Sequence, residues 1–150
     1  MIRRATAVDL PGIVAMQQAA YASGRKTTGV EALPLRADYD SIFAQHECWI
    51  LGDGEALEGV LILELRPDDL LIWSIATHPR MRSKGLGSRL FDFAVQRTRD
   101  TRRTVMRLYT NERLTRNIAW YTRRGFTIER IEEMADRCAV HMKKILEDES

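Results

Sequence analysis

Residues 78–90, HPRMRSKGLGSRL, concentrate positive charge around a Gly-Leu-Gly step that opens a segment with helical periodicity. A helix N-terminus already carries partial positive charge, so each added cation there is unfavourable by roughly 0.3 kcal/mol or more. The first free N–H groups of such a helix point at an anion, and Gly85 and Gly87 remove side chains where a ligand must approach the backbone. A bound anion would make the charges of Arg82 and Lys84 favourable. The pattern therefore predicts a site for a phosphate-bearing ligand.

Two familiar phosphate-binding motifs do not fit this loop. A Walker loop places lysine after its second glycine, whereas Lys84 precedes both glycines. The dinucleotide fingerprint G-x-G-x-x-G would require glycine at the position of Leu90. Two glycines alone are more typical of an ordinary turn with solvated arginines, so the interpretation depends on the rest of the chain.

A second polar pair lies downstream. Asn117 and Tyr121 are one helical turn apart and share a face with Leu114 and Ile118. Polar side chains within an apolar stripe need hydrogen-bond partners. The pair is explained either by a tyrosine satisfied in the core or by a binding site.

Composition limits the class of protein. The chain has 150 residues, of which 45% are hydrophobic and 29% charged, which predicts one globular domain over residues 1–150. The net charge of +2 is too small to indicate a nucleic-acid partner by itself. Two cysteines in apolar runs and three scattered histidines predict neither a disulfide framework nor a metal site. No run approaches the length of a membrane span, and polar residues interrupt the apolar N-terminus, so we expect a soluble cytoplasmic protein.

The elements that must position these residues follow from periodicity and turn signals. We expect a short strand, a capping box at Thr6 to Asp9, a helix, and a long polar loop over residues 23–37. Three strand-like runs, CWIL, ALEGVLILEL and LLIWSIAT, then form an antiparallel meander. The remaining expected elements are a helix at about 85–99, a strand at 105–110, a helix capped near Asn111 and ending at Arg124, and a closing antiparallel strand pair. This order predicts an α+β fold.

The segment Arg82-x-x-Gly85-x-Gly87, after a strand ending IATHP, resembles the acyl-CoA loop of the GNAT superfamily of N-acetyltransferases, whose pattern is Q/R-x-x-G-x-G/A. LYTNERLTRNIAWYTRRGF is similar to that family's strand–helix–strand segment, in which a helix carrying Asn and Tyr ends at Gly-Phe. The two segments occur in the family's order, and the resemblance covers roughly residues 2–145. It implies a GNAT-like fold, with a central, mostly antiparallel mixed sheet flanked by about four helices. Residues 1–50 match weakly, and that region often forms the acceptor side in this family.

The resemblance also implies a co-substrate, acetyl-CoA or another short acyl-CoA. Main-chain amides at the end of a strand would pair with pantetheine, and N–H groups of the loop would hold the pyrophosphate. Arg82 and Lys84 would reinforce that contact or reach the 3′-phosphate. The implied cofactor-binding residues are Ile75, Ala76, Thr77, Arg82, Ser83, Lys84, Gly85, Leu86, Gly87, Ser88 and Asn117.

The candidate catalytic residues are Tyr121, which the resemblance implies, and Glu64. A tyrosine with a pKa near 10 stays protonated at pH 7, so Tyr121 would donate a proton to the departing CoA thiolate. An N–H near Ile75 or Ala76 would polarise the thioester carbonyl. Glu64 is the nearest candidate base by sequence position, although an ordinary surface carboxylate explains it equally well. No metal and no covalent enzyme intermediate are required.

The sequence therefore predicts an enzyme that moves acetyl from acetyl-CoA to a small-molecule or peptide amine by direct attack. One alternative is a non-catalytic acyl-CoA-binding module on the same fold. A second alternative, a nucleic-acid-associated protein, is disfavoured because its arginine cluster is short and lacks interleaved aromatic residues. That cluster comprises Arg97, Arg99, Arg102 and Arg103. Trp49, Trp73, Tyr21 and Tyr39 are explained equally by an acceptor pocket and by core packing. The sequence leaves open a homodimer, the identity of the acceptor and whether the acyl group is strictly acetyl.

Overall fold

The computed structural model describes residues 1–22, 28–32, 34, 37–53, 56–81 and 84–147. Most of the expected polar loop at 23–37 therefore lies outside the described residues. Within the described ranges the chain forms seven strands and four α-helices. In chain order these are β1 (Ile2–Arg4), α1 (Leu10–Tyr21), α2 (Tyr39–Gln45), β2 (Glu47–Asp53), β3 (Ala56–Leu65), β4 (Leu70–Thr77), α3 (Leu86–Asp100), β5 (Val105–Asn111), α4 (Thr115–Arg123), β6 (Thr127–Glu133) and β7 (Cys138–Ile145).

The strands form one sheet in the order β1-β2-β3-β4-β5-β7-β6. Every neighbouring pair is antiparallel except β4 and β5, which are parallel. Parallel neighbours need a long crossover, and α3 supplies it between β4 and β5. The predicted α+β fold, with a mostly antiparallel mixed sheet and about four helices, is confirmed.

The two parallel strands pair only at their beginnings. Leu70 is opposite Met106 and Leu71 is opposite Arg107, and no pairing between β4 and β5 follows. Beyond this point β4 stays paired with β3 as far as Thr77, and β5 stays paired with β7 as far as Asn111. The sheet therefore opens into a gap between residues 72–77 and residues 108–111.

A β-bulge shapes the β4 side of this gap. Ile62 is opposite Ser74 whereas Leu63 is opposite Ile72, so Trp73 is one residue more than β3 can match. Because a bulge interrupts the strict alternation of side chains, Trp73 and Ser74 both lie on the sheet face that α1 covers. The next residue, Ile75, returns to the opposite face.

Two hydrophobic clusters cover the two faces of the sheet. On one face, Leu90 and Phe91 of α3 pack with strand residues, and Trp120 and Tyr121 of α4 pack against the edge of that cluster. On the other face, α1 contributes Ile13 and other apolar residues to a separate cluster. The gap between β4 and β5 consequently opens toward α3 and α4 on one side and toward α1 on the other.

Two expectations about helix ends had different outcomes. The capping box is present, with the Thr6 N–H donating to Asp9 Oδ2 at 2.8 Å, and a short 3-10 turn precedes α1. The expectation that the fourth helix is capped near Asn111 was wrong. Asn111 pairs with Ala139 as the last residue of β5, and α4 begins four residues later. Pairing with β7 in the sheet is therefore preferred to a helix start at Asn111. None of the helices in the described ranges is long and apolar enough to span a membrane.

Candidate active site

The gap between β4 and β5 holds a cavity of about 140 Å³ that both faces of the sheet contribute to. Ser74 and Ile75 form part of the β4 wall, and Leu108 and Thr110 form part of the β5 wall. Tyr21, at the end of α1, lines the cavity from one face of the sheet. Asn117 and Tyr121 of α4 line it from the other face.

The N-terminus of α3 supplies free hydrogen-bond donors beside this gap. Gly85 is the N-cap residue with φ of +76°, and the Arg89 N–H donates to its carbonyl at 3.2 Å as the first helical bond. The N–H groups of residues 85–88 precede that bond and therefore have no intrahelical acceptor. The Lys84 N–H instead donates to the Met81 carbonyl at 3.3 Å. Arg82 and Ser83, which the sequence also assigned to this loop, lie outside the described residues.

Packing inside the protein does not explain the two glycines of this turn. Among the described residues, a Cβ atom at Gly85 would meet nothing within 4 Å, and one at Gly87 would meet only Trp120 Cζ2, at 3.6 Å. The positive φ accounts for glycine at position 85. At position 87 the φ angle is not in the left-handed region, so the backbone conformation does not require glycine there. The backbone at Gly87 is left open to the approach of a ligand.

A groove of about 500 Å³ runs from this helix start along α4 to the gap. Ile75 and Thr77 of β4 form one wall, and the turn at Gly87 closes one end. Two arginines, Arg116 and Arg123, line it, and none of the described residues that line it is acidic. The groove thus combines an apolar wall with positive charge, which suits a ligand that carries phosphate groups.

Sequence reasoning missed these two arginines. They are seven residues apart on α4. Arg116 directly precedes Asn117, and Arg123 follows Tyr121 by two residues, so both lie close to residues that the sequence assigned to the site. Helical spacing was the available signal, because positions 116, 120 and 123 fall on one stripe next to Asn117 and Tyr121.

Tyr121 lines both the groove and the gap. Its ring packs edge-on against Trp120, with centroids 5.0 Å apart, and against Phe126, with centroids 5.5 Å apart. Burial raises the pKa of its hydroxyl above the usual value of 10, so the group stays protonated at neutral pH. A proton donor is therefore held where the groove meets the gap.

Comparison with known proteins decides the family. The sequence matches the acetyltransferase (GNAT) family over residues 13–126. The chain belongs to the GNAT acetyltransferase family. No curated protein matches it significantly.

Solved structures of GNAT proteins share the fold along nearly the whole chain. The ribosomal-protein-S18-alanine N-acetyltransferase from Escherichia coli has a TM-score of 0.79 at 17% identity, covering 100% of this chain and 96% of that chain. The IAA acetyltransferase from Bacillus cereus ATCC 14579 has a TM-score of 0.72 at 20% identity, covering 97% and 99%. A GNAT family acetyltransferase from Elizabethkingia anophelis, solved with acetyl-CoA bound, has a TM-score of 0.73 at 16% identity, covering 97% of both chains. At these identities the likeness shows the fold.

In this GNAT protein, Arg124 joins the end of α4 to the start of α3. Its guanidinium stacks on the Trp120 ring at 3.4 Å from the centroid and donates to the Trp120 carbonyl at 3.1 Å. The same group donates to Ser88 Oγ at 2.8 Å. Burial lowers the pKa of this guanidinium. The sequence predicted only that a helix ends at Arg124, whereas the structure places the Arg124 side chain at the first turn of α3.

An acceptor pocket and core packing were both open explanations for four aromatic residues, and the structure separates these residues into two groups. Tyr21 and Trp73 line the gap of the GNAT domain. Tyr39 packs edge-on against Trp73 at 6.1 Å, and its hydroxyl donates to the Pro34 carbonyl at 2.7 Å. Trp49 lies elsewhere, packed against Phe93 with centroids 4.7 Å apart.

Glu64 lies on β3, on the sheet face that α1 covers, and is not among the described residues that line the gap. Its carboxylate is 3.8 Å from His46 Nε2. The His46 ring packs against Trp73, which does line the gap, with centroids 6.0 Å apart. Glu64 therefore lies on the α1 face and is connected to the gap indirectly, through His46 and Trp73. Its role as the base stays a prediction.

The remaining candidate chemistries find no support in the described parts of the chain. No group of three or more His, Cys, Asp or Glu residues there could hold a metal ion. Cys48 is buried, and burial raises the pKa of its thiol to about 11, which makes it a poor nucleophile. Arg97 forms an ion pair with Glu47 at 2.7 Å, and Arg103 donates to the Arg66 carbonyl at 2.8 Å. Those two arginines therefore have partners within the fold.

Proposed function

We propose that the protein is an N-acetyltransferase that moves the acetyl group of acetyl-CoA to the amine of a small molecule or peptide by direct attack. The observation that carries the proposal is the continuity of three features. Free N–H groups at residues 85–88 open onto a cationic groove, and the groove ends at Tyr121 in a gap that opens to the opposite face of the sheet.

The donor would lie on the α3 and α4 face. Its pyrophosphate would accept hydrogen bonds from the N–H groups of residues 85–88, while buried Leu86 anchors that turn in the core. Pantetheine would pair with the main chain of Ile75, Ala76 and Thr77, because β4 has no partner strand on that side beyond Leu71. The side-chain amide of Asn117 would also contact the pantetheine. Lys84, and Arg82 and Ser83 outside the described residues, complete the proposed loop.

The reaction needs two proton movements. The amine nitrogen attacks the thioester carbonyl carbon, the C–S bond breaks, and the sulfur leaves as a thiolate that takes the proton of the Tyr121 hydroxyl. An N–H at Ile75 or Ala76 would stabilise the negative charge on the carbonyl oxygen. The attacking amine gives up a proton, and we propose Glu64 as its acceptor, directly or through water. Bringing the two substrates together in one gap supplies a proximity gain.

The test is a binding measurement followed by turnover. Calorimetry should show acetyl-CoA binding, and a thiol-release assay with a panel of amines should show CoA formation that depends on the amine. The panel should include amino acids, polyamines, peptides with a free N-terminus and lysine peptides. Mass spectrometry should identify the acetylated product. Tight acetyl-CoA binding without release by any amine would identify a non-catalytic acyl-CoA-binding module instead.

A further inference from the structure

Three polar side chains form a hydrogen-bonded cluster on the α1 face of the gap. Gln17 Nε2 donates to Ser74 Oγ at 3.0 Å, and the Tyr21 hydroxyl is 2.7 Å from the same oxygen. Gln17 is fully buried and Ser74 is 3% exposed. Ser74 and Tyr21 both line the gap, so the cluster connects the wall of the gap to the buried face of α1.

Gln17 is an unusual residue for its position. The other apolar-facing positions of α1 are Ile13 and Met16, which pack in the core. Burial of an amide is unfavourable unless its atoms are hydrogen-bonded, and Gln17 Oε1 has no partner among the described residues. An apolar residue would serve the core better. What Gln17 does achieve is to fix the Ser74 hydroxyl, which the bulge at Trp73 turns toward α1.

The cluster holds the Tyr21 oxygen at the wall of the gap, 2.7 Å from Ser74 Oγ. A serine oxygen has two acceptor lone pairs, so Ser74 Oγ can accept from Gln17 and from Tyr21 at the same time. Whichever of the two hydroxyls donates, the Tyr21 oxygen keeps at least one lone pair that its bond with Ser74 does not use. Burial raises the pKa of Tyr21, so the group stays neutral, and the remaining lone pair of its oxygen can accept a hydrogen bond.

Tyr21 faces Tyr121 through the gap. Tyr121 packs with the cluster on the α3 face, whereas Tyr21 packs with the cluster on the α1 face. Both line the same cavity, and Tyr21 is close enough to contribute to the raised pKa of Tyr121, after burial, which is the larger cause. An acyl group in the gap would therefore have the proton donor for its leaving thiolate on one side and the Tyr21 oxygen on the other.

We propose that Tyr21 binds the acceptor amine, with its hydroxyl oxygen accepting a hydrogen bond from an N–H of the attacking nitrogen. Ser74 and Gln17 are positioning residues that hold this oxygen in place. The proposal rests on the proposed function, since it assigns the acceptor side of the same reaction. It places the amine on the α1 face and CoA on the α3 face.

The experiment compares Tyr21→Phe, Ser74→Ala and the double variant with the wild type, after thermal unfolding shows that each is folded. Tyr21→Phe should raise KM for the amine about three- to tenfold, the range expected for one neutral hydrogen bond. The acetyl-CoA Kd from calorimetry should not change. Ser74→Ala should raise the amine KM in the same direction, and it should add nothing in the Tyr21→Phe background, because it acts through Tyr21.

Each other outcome overturns a stated part. An unchanged amine KM in Tyr21→Phe, or a fall in kcat alone, would overturn the binding role of Tyr21 while the acetyltransferase assignment stands. An effect of Ser74→Ala that multiplies with that of Tyr21→Phe would overturn the positioning role of Ser74. Absence of amine-dependent turnover in the wild type would overturn the proposed function and this inference together.

Discussion

Replacing Gly87 with alanine separates the needs of the fold from those of the ligand. In the described part of the fold, the new Cβ meets only Trp120 Cζ2 at 3.6 Å, which is ordinary van der Waals contact, and Gly87 does not have a positive φ. Alanine is also preferred to glycine in helices by up to about 1 kcal/mol. The variant should therefore be as stable as the wild type or slightly more stable. The ligand should respond in the opposite way.

The expected loss of affinity follows from the N–H groups at the start of α3. A methyl group on the bare surface at Gly87 would push the pyrophosphate away from donors that lack any intrahelical acceptor. A hydrogen bond to a charged group contributes about 1.5–3 kcal/mol, so the loss of one contact should weaken acetyl-CoA binding about ten- to a hundredfold. Gly87→Val should weaken binding further, since its side chain extends beyond the Cβ position.

The assay pairs calorimetry with thermal unfolding. Gln96→Ala, an exposed change further along the same helix, is the matched control and should bind acetyl-CoA as the wild type does. Wild-type acetyl-CoA affinity in Gly87→Val would refute the assignment of the pyrophosphate to this turn. A Gly87→Ala protein that is less stable than the wild type would refute the reasoning that the fold tolerates a side chain there.

Four further changes have defined outcomes. Tyr121→Phe should lower kcat by about ten- to a thousandfold with little change in the acetyl-CoA Kd, and wild-type kcat with chemistry rate-limiting would show that the hydroxyl is structural. Arg123→Gln should weaken acetyl-CoA binding about two- to fivefold and make it less sensitive to salt in a titration at several ionic strengths. Gly85→Ala should lower the free energy of unfolding by about 1–2 kcal/mol in a denaturant titration, because φ is +76°, although the methyl meets no atom of the described residues within 4 Å. A hydrogen bond from Arg3 is the largest cause that lowers the pKa of Asp9 from 3.8 to about 2. The contribution of the Asp9 carboxylate to stability is therefore complete above pH 4 and is lost as the pH falls toward 2. Asp9→Asn should flatten the pH dependence of the free energy of unfolding between these two pH values.

Local signals were sufficient for most of the fold. The bounds of β3 and β4 follow from apolar runs between turn residues, and the structure has them where the sequence predicted them. The start of α4 was misplaced because Asn111 is a good helix cap in isolation, and only the neighbouring strand β7 decides that it pairs in the sheet. A cap preference is a local property, whereas a ladder position depends on residues far along the chain.

The proposed donor side consists of short segments, which is why the sequence could suggest it. A helix start with two glycines and a helix with Asn117 and Tyr121 are local patterns that resemble those of a known family, and the resemblance implies their roles. Arg124 is the exception, since its contact with Ser88 joins two helices and has no local signal.

The proposed acceptor side depends on tertiary structure. Gln17 and Ser74 are separated by 57 positions, and the bulge at Trp73 sets the face on which Ser74 lies. Alternation along β4 alone would have placed neighbouring side chains on opposite faces. The gap itself depends on β4 and β5 pairing at their first residues and then separating. Hydrogen bonds and sheet register between distant segments produce these features, so no pattern of neighbouring residues could have predicted them.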